Sequence, residues 1–291
     1  DVRGVRKGDA TGRLSGGSSL GPARCDRGAY GNPVMSRGGG GLVTALSGLV
    51  ANRHALWIAS AMTEEDIAVA DENDHQPIDV EMDGVSYRVL TVESDSVAYD
   101  RFYNVIANPI LWFIQHYLWD LSNAPDIRQA ELDAFDYGYQ VVNRDIADAV
   151  LAQIEGREGP VVMLHDYHLY TAPAMIRAAR PDAFLYHFVH IPWPQADAWR
   201  VLPSRIRQAV FEGLLGNDII GFHTSNYCIN FLACCERLLD LEVDYDKLTV
   251  THDGGKTLVR PYPLPIDAER LHRAAATREV AEAEMEVLAR R

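Results

Sequence analysis

The chain lacks several signatures that would settle its function at once. There is no uninterrupted apolar run of about 20 residues, so no membrane-spanning helix can be read from the sequence. Nothing resembles a secretory leader. No lysine sits in a glycine-rich phosphate loop. No Gly-x-Gly-x-x-Gly with a downstream ribose-binding acid follows a first strand, which argues against a nicotinamide dehydrogenase. No Gly-x-Ser-x-Gly elbow is present. Cysteine is scarce. Cys25, Cys228, Cys234 and Cys235 include no pair at metal-ligand spacing, and the last three share one helical stretch, which favours a reduced, cytoplasmic protein. Positive charge is also short, with 27 Lys and Arg against 41 Asp and Glu. The net charge of −14 disfavours nucleic acid and anionic membrane as main partners. Residues 1–40 depart from this balance. Seven basic against three acidic residues give +4, leaving −18 for the remainder.

What the chain does contain is concentrated between Pro160 and Pro194. Val161-Val-Met-Leu-His165 and Phe184-Leu-Tyr-His-Phe-Val189 are short apolar runs, and Thr171 to Arg180 between them is rich in helix formers. This pattern predicts two buried parallel strands joined by a crossover helix. In such a sheet, ligands sit beyond the carboxyl ends of the strands. His165, Asp166, Tyr167, His168 and His190 fall at those ends.

The rest of the chain extends the alternation. Residues 1–37 are rich in Gly, Arg and Ser and read as a poorly ordered or unrelated leader. Gly38 to Gly41 form a glycine loop opening onto a helix from Leu42, a geometry suited to an anion or simply to a tether. Ala55 to Ser60 reads as a strand, and Thr63-Glu-Glu-Asp66 as a capping box. Val80-Glu-Met82 and Val85 to Val92 predict a hairpin turning at Asp83-Gly84. Tyr99, Phe102, Tyr103, Trp112, Phe113, His116, Tyr117 and Trp119 form an aromatic block, suited to a core and, in part, to a sugar-lined pocket. Phe135 to Leu151 predicts an amphipathic helix. A helix over Arg205–Leu215, a strand ending near His223, a helix over Asn226–Leu239 and a hairpin around Asp253-Gly254 follow. The expected fold is α/β: a doubly wound, mostly parallel sheet with a small antiparallel hairpin.

With these motifs assembled, the chain resembles the trehalose-6-phosphate synthase family, retaining glycosyltransferases built from two Rossmann-like domains. The matching residues run in order: Gly40-Gly41-Leu42, Tyr103-Asn104, Leu111-Trp112, Val142-Asn143, His165-Asp166-Tyr167-His168, His190-Ile191-Pro192, Gly221-Phe222 and Pro263-x-Pro-Ile266-Asp267. The His-Asp-Tyr-His and His-Ile-Pro pair is the most specific. The resemblance implies an N-terminal, acceptor-side Rossmann-like domain of a GT-B glycosyltransferase over residues 38–291.

It also implies roles. Gly40 and Gly41 would lie against the donor diphosphate, and His190 would contact the donor sugar. Tyr103 and Asp166 would hold the acceptor, and Trp112 and Ile191 would shape the site towards the α-anomer. The implied activity is transfer of glucose from UDP-glucose, as co-substrate, to glucose 6-phosphate, with no metal and no other cofactor. The partners implied are a sugar phosphate and a sugar nucleotide, with homo-oligomerisation left open. His165, His168, His187 and His223 are expected to be structural, the first two bonded to nearby backbone.

Three departures qualify these expectations. The family's first strand ends in Ser-Asn-Arg, and no such strand is legible in residues 1–37. Ser60 stands where the family often has a second tryptophan, a feature shared with pseudo-glycosyltransferases that make validoxylamine 7′-phosphate. The donor-binding half of the family is not in the text before Arg291, so the chain by itself is expected to be inactive. A non-catalytic sugar-phosphate-binding or regulatory member is the competing expectation.

Overall fold

The computed structural model describes residues 14–18, 23–27, 33–37, 55–82, 85–119, 127–266 and 268–290. The expected glycine loop with Gly40 and Gly41, the helix from Leu42 and the turn at Asp83-Gly84 lie outside the described residues. The strands are β1 (Leu14–Ser18), β2 (Ala23–Arg27), β3 (Pro33–Arg37), β4 (Leu56–Ser60), β5 (Ile78–Met82) and β6 (Val85–Val92). They continue with β7 (Val161–His165), β8 (Phe184–Val189), β9 (Ile219–Phe222), β10 (Glu242–Asp244), β11 (Thr249–His252) and β12 (Gly255–Pro261).

Ten of these form one sheet in the order β10-β11-β12-β9-β8-β7-β1-β4-β6-β5. Neighbours from β12 through β6 run parallel. The hairpins β5–β6 and β10–β11–β12 close the two edges antiparallel. β2 and β3 pair separately. The doubly wound α/β expectation therefore holds, and the two expected hairpins lie at the two edges of the sheet.

One expectation is corrected. Residues 1–37 read as free of any sheet strand, yet β1 lies at the centre. Ser15 is in register with Leu56 on one side and Val162 on the other. Its sequence, Leu-Ser-Gly-Gly-Ser, has neither apolar alternation nor β-branched residues, so strand propensity gives no signal. Pairing with β4 and β7 supplies what local preference does not. The chain runs outward from β1 through β4 to β6 and then returns to β7 on the opposite side. That reversal places the crevice of an open α/β sheet at the carboxyl ends of β1 and β7.

The helices that cover the sheet follow from local rules. Thr63 accepts from the Asp66 amide at 3.1 Å, and the Asp66 carboxylate accepts from the Thr63 amide at 3.1 Å, so the capping box opens helix Glu64–Glu72. Helix Gln140–Ile154 buries Val142, Ile146, Val150 and Ile154, one face at a four-residue repeat. The aromatic block from Tyr99 to Phe113 lies on a continuous helical run, and His116, Tyr117 and Trp119 fall beyond its end. Ser96–Asp100 leads into a π-helical stretch, Arg101–Trp112, with Pro109 inside it. Phe102, Ile106, Leu111, Trp193, Trp199, Phe211, Phe222 and Phe231 belong to one core cluster, and Ile58, Leu164, Leu185 and Ile146 to a second.

Asn143 fastens these helices to the loop beyond β7. It is fully buried, and its Nδ2 donates to the carbonyls of Tyr139 and His168, both at 2.9 Å. Its Oδ1 accepts from the amides of Thr171 and Ala172, at 3.2 and 3.0 Å. Those amides open helix Ala172–Ala179 and have no partner within it. Asn143→Ala would strand three buried polar groups of the loop, the His168 carbonyl and the Thr171 and Ala172 amides, so a loss of about 3 kcal/mol is expected. Urea unfolding of the variant reads it directly.

Candidate active site at the carboxyl ends of the central strands

β7 ends at His165, and the next residue, Asp166, has φ +67° and ψ 178°. This region is nearly exclusive to glycine and costs of the order of 1–3 kcal/mol, so the surroundings must impose it. They do so at three atoms. The Asp166 amide donates to the Phe188 carbonyl at 2.8 Å. The Asp166 carbonyl accepts from His187 Nε2 at 3.0 Å and from the Leu169 amide at 3.3 Å. The carboxylate Oδ1 accepts from the His190 amide at 3.2 Å. Asp166 is thus held between the ends of β7 and β8 with its carboxylate at the strand tips.

Burial raises the Asp166 carboxyl to about 7, and the amides of His190, Tyr167 and Ile191 pull it partly back. Beside it, His165 Nδ1 faces His190 Nε2 at 3.2 Å. One nitrogen must donate and the other accept, so the pair shares a single proton at that contact. Burial, reinforced by neighbouring imidazoles, lowers both rings to about 3 and keeps them neutral. The His223 ring, beyond the end of β9, lies 5.9 Å from that of His190. Three adjacent strand ends therefore each present a histidine.

The helical run supplies the other wall. Tyr103 stacks on His168 with ring centres 5.8 Å apart and planes 12° apart, and on Tyr99 at 6.0 Å and 7°. The Tyr167 hydroxyl donates to Asn108 Oδ1 at 2.7 Å. Tyr139 braces this arrangement from below. Its hydroxyl donates to the Tyr167 carbonyl at 2.6 Å and accepts from the Tyr170 amide at 3.1 Å.

Of the residues expected at the site, Asp166 and His190 come together directly, and Tyr103 stacks on the ring of His168, two residues along from Asp166. Ile191 follows His190, is partly buried and packs on the larger core cluster. Trp112 lies on the same π-helical stretch as Tyr103, and its ring stacks on His116 at 4.0 Å. Gly40 and Gly41 are outside the described residues. His165 was expected to bond nearby backbone, but the partner of its Nδ1 is the His190 imidazole. His168 has no partner for Nε2 among the described residues. Sequence reasoning did not single out Asn108 or Tyr139. Asn108 is flagged only by the Asn-Pro step in the aromatic block, and Tyr139 by nothing local, since its partners are 28 and 31 residues away.

A doubly wound sheet whose strand ends gather a buried carboxylate, neutral imidazoles and stacked aromatics is of the Rossmann-like class, in which polar ligands sit beyond the carboxyl ends of the strands. The sequence profile of glycosyltransferase family 20 matches residues 24–290, and the chain belongs to that family. It is 35% identical over 235 residues to the validamine 7-phosphate valienyltransferase of Streptomyces hygroscopicus subsp. jinggangensis, covering 79% of this chain and 46% of the relative. It is 32% identical over 255 residues to the trehalose-6-phosphate synthase of Mycolicibacterium gilvum, covering 85% and 48%. The chain thus spans about half the length of the curated relatives it matches.

In fold it is similar to the N-terminal domain of Candida albicans trehalose-6-phosphate phosphatase, with TM-score 0.73, 24% identity, and coverage of 96% of this chain and 54% of the other. It is also similar to the Burkholderia xenovorans α,α-trehalose-phosphate synthase (UDP-forming) in complex with glucose 6-phosphate, with TM-score 0.67, 21% identity, and coverage of 90% and 52%. Among the described residues no helix is long and apolar enough to cross a membrane.

The charge states of the cluster set a pH dependence. His165, His168, His187 and His190 are lowered from 6.5 to about 3, first by burial. The unfolded chain takes up these protons below pH 6.5 while the folded chain refuses them, so stability falls as pH drops from 6.5 towards 3. Asp166 acts oppositely. Its contribution is complete below 3.8 and is lost as pH rises through about 7. Near pH 5 four imidazoles oppose one carboxyl, and the imidazoles dominate. Urea unfolding at pH 5 is expected to give a stability several kcal/mol below that at pH 7.5, at about 1.4 kcal/mol per pH unit per net proton. A higher stability at pH 5 would rule out a neutral histidine cluster.

Proposed function

We propose that this chain forms the acceptor-side wall of a retaining glycosyltransferase and binds a hexose 6-phosphate, glucose 6-phosphate in the first instance, for transfer of glucose from UDP-glucose. The observation that carries the reading is the Asp166 carboxylate held at the strand tips beside His190, within a chain of glycosyltransferase family 20.

On this reading Asp166 accepts a hydrogen bond from an acceptor hydroxyl and orients it, and no side chain serves as nucleophile. Tyr103 offers a flat face and a hydroxyl to the same sugar. His190 contacts the donor sugar, Gly40 and Gly41 approach its diphosphate, and Trp112 with Ile191 limits which anomer fits. The rate gain then comes from holding acceptor oxygen, donor carbon and leaving phosphate in register, and from stabilising charge on the departing diphosphate.

A second acceptor is supported by a specific relative. The 35% identical valienyltransferase is named for validamine 7-phosphate, and Ser60, buried at the end of β4, carries a hydroxyl with no partner among the described residues.

Calorimetric titration with glucose 6-phosphate and with validamine 7-phosphate tests the reading and separates the two acceptors. Binding of one of them is expected, and Asp166→Asn should weaken it roughly 10- to 100-fold, the worth of a hydrogen bond to a charged group. The near-isosteric change leaves the His190 amide an acceptor, so the fold should survive. Wild-type affinity in Asp166→Asn would remove Asp166 from the acceptor site, and binding of neither sugar phosphate would overturn the proposal.

A further inference from the structure

On β8, Leu185, His187 and Val189 occupy the same face, and all three are fully buried. A histidine in a register otherwise filled by leucine and valine calls for a physical reason. Packing does not supply it, because His187 Nδ1 is buried with no partner among the described residues, a cost that an aliphatic side chain would avoid. The reason lies at the other nitrogen. Nε2 is 3.0 Å from the Asp166 carbonyl, which can only accept, so Nε2 carries the proton.

That carbonyl belongs to the residue whose backbone adopts the glycine-like conformation described above. Turning Asp166 out of that conformation would move its carbonyl and its carboxylate together, since both project from the same α-carbon. The imidazole of Tyr170's ring neighbour is itself confined: the Tyr170 and His187 rings are 5.6 Å apart, and the Tyr170 hydroxyl is fastened to Gln115 Oε1 at 2.7 Å.

We propose that His187 is a positioning residue for Asp166, its Nε2–H holding the Asp166 carbonyl so that the carboxylate stays at the strand tips, in reach of the His190 amide and of the acceptor hydroxyl. The part concerning the acceptor rests on the functional reading above. The part concerning the backbone does not. His187 touches no substrate and acts through Asp166 alone. The Leu169 amide, at 3.3 Å, is the second donor to the same carbonyl and fixes its other lone pair.

Three measurements test this. In the wild-type chain, long-range nitrogen–proton NMR of the imidazoles should find His187 neutral with the proton on Nε2, and a proton on Nδ1 alone would overturn the proposal without any variant. His187→Phe keeps the ring shape and removes the donor, while His187→Gln restores an N–H at comparable reach. Hydrogen exchange at the His190 amide should quicken at least tenfold in His187→Phe and stay within about threefold of wild type in His187→Gln, with helix Ser225–Leu239 unchanged in both. Glucose 6-phosphate affinity should follow the same order.

Wild-type exchange and affinity in His187→Phe would overturn the proposal, as would a His187→Gln variant no better than His187→Phe. If the wild-type chain binds no sugar phosphate, the functional reading fails, and tautomer and exchange still decide the role of His187. If His187→Phe does not fold, the wild-type tautomer and the exchange in His187→Gln decide it.

Discussion

The conformation of Asp166 is the constraint on which the candidate site depends. A β-strand that simply continued past His165 would send the next side chain to one face of the sheet, alternating as strands do. With φ at +67° the chain instead breaks out of the strand, and the carboxylate meets the amide at the end of the neighbouring strand. The conformation is unfavourable for a residue with a β-carbon. It persists because the paired ends of β7 and β8 supply donors and acceptors for its amide, carbonyl and carboxylate at once.

Around that point the polar groups are layered. The carboxylate and the His165–His190 pair lie at the tips. Behind them, Tyr139 and Asn143 bond five backbone groups of the loop: the Tyr167 and His168 carbonyls and the Tyr170, Thr171 and Ala172 amides. These supporting groups reach across 25 to 31 residues of sequence, so the loop is tied to helices formed earlier in the chain. Low polarity around the tips works in two directions. It holds the imidazoles neutral, and it keeps the carboxyl's proton affinity near neutrality, so small changes in surroundings alter the charge of the site.

Membership of glycosyltransferase family 20 rests on sequence over most of the chain, and the likeness to solved structures at 21–24% identity speaks to the fold. The relatives named for trehalose 6-phosphate and validamine 7-phosphate chemistry are about twice as long as this chain, and what it shares with them is the half that carries Asp166, His190 and Tyr103.

The sequence by itself determined the alternation of strands and helices from Ala55 onward, because apolar periodicity, caps and turn residues act over a few neighbouring positions. It also placed Asp166 and His190 at the ends of adjacent strands, since both follow short apolar runs. It was silent on β1, whose Leu-Ser-Gly-Gly-Ser carries no local preference and becomes a strand only because β4 and β7 leave a slot between them. It was equally silent on the partner of His165 and on the bond from His187 to Asp166. Both join residues more than 20 positions apart, and such contacts exist only once the sheet has brought the strand ends within hydrogen-bonding distance.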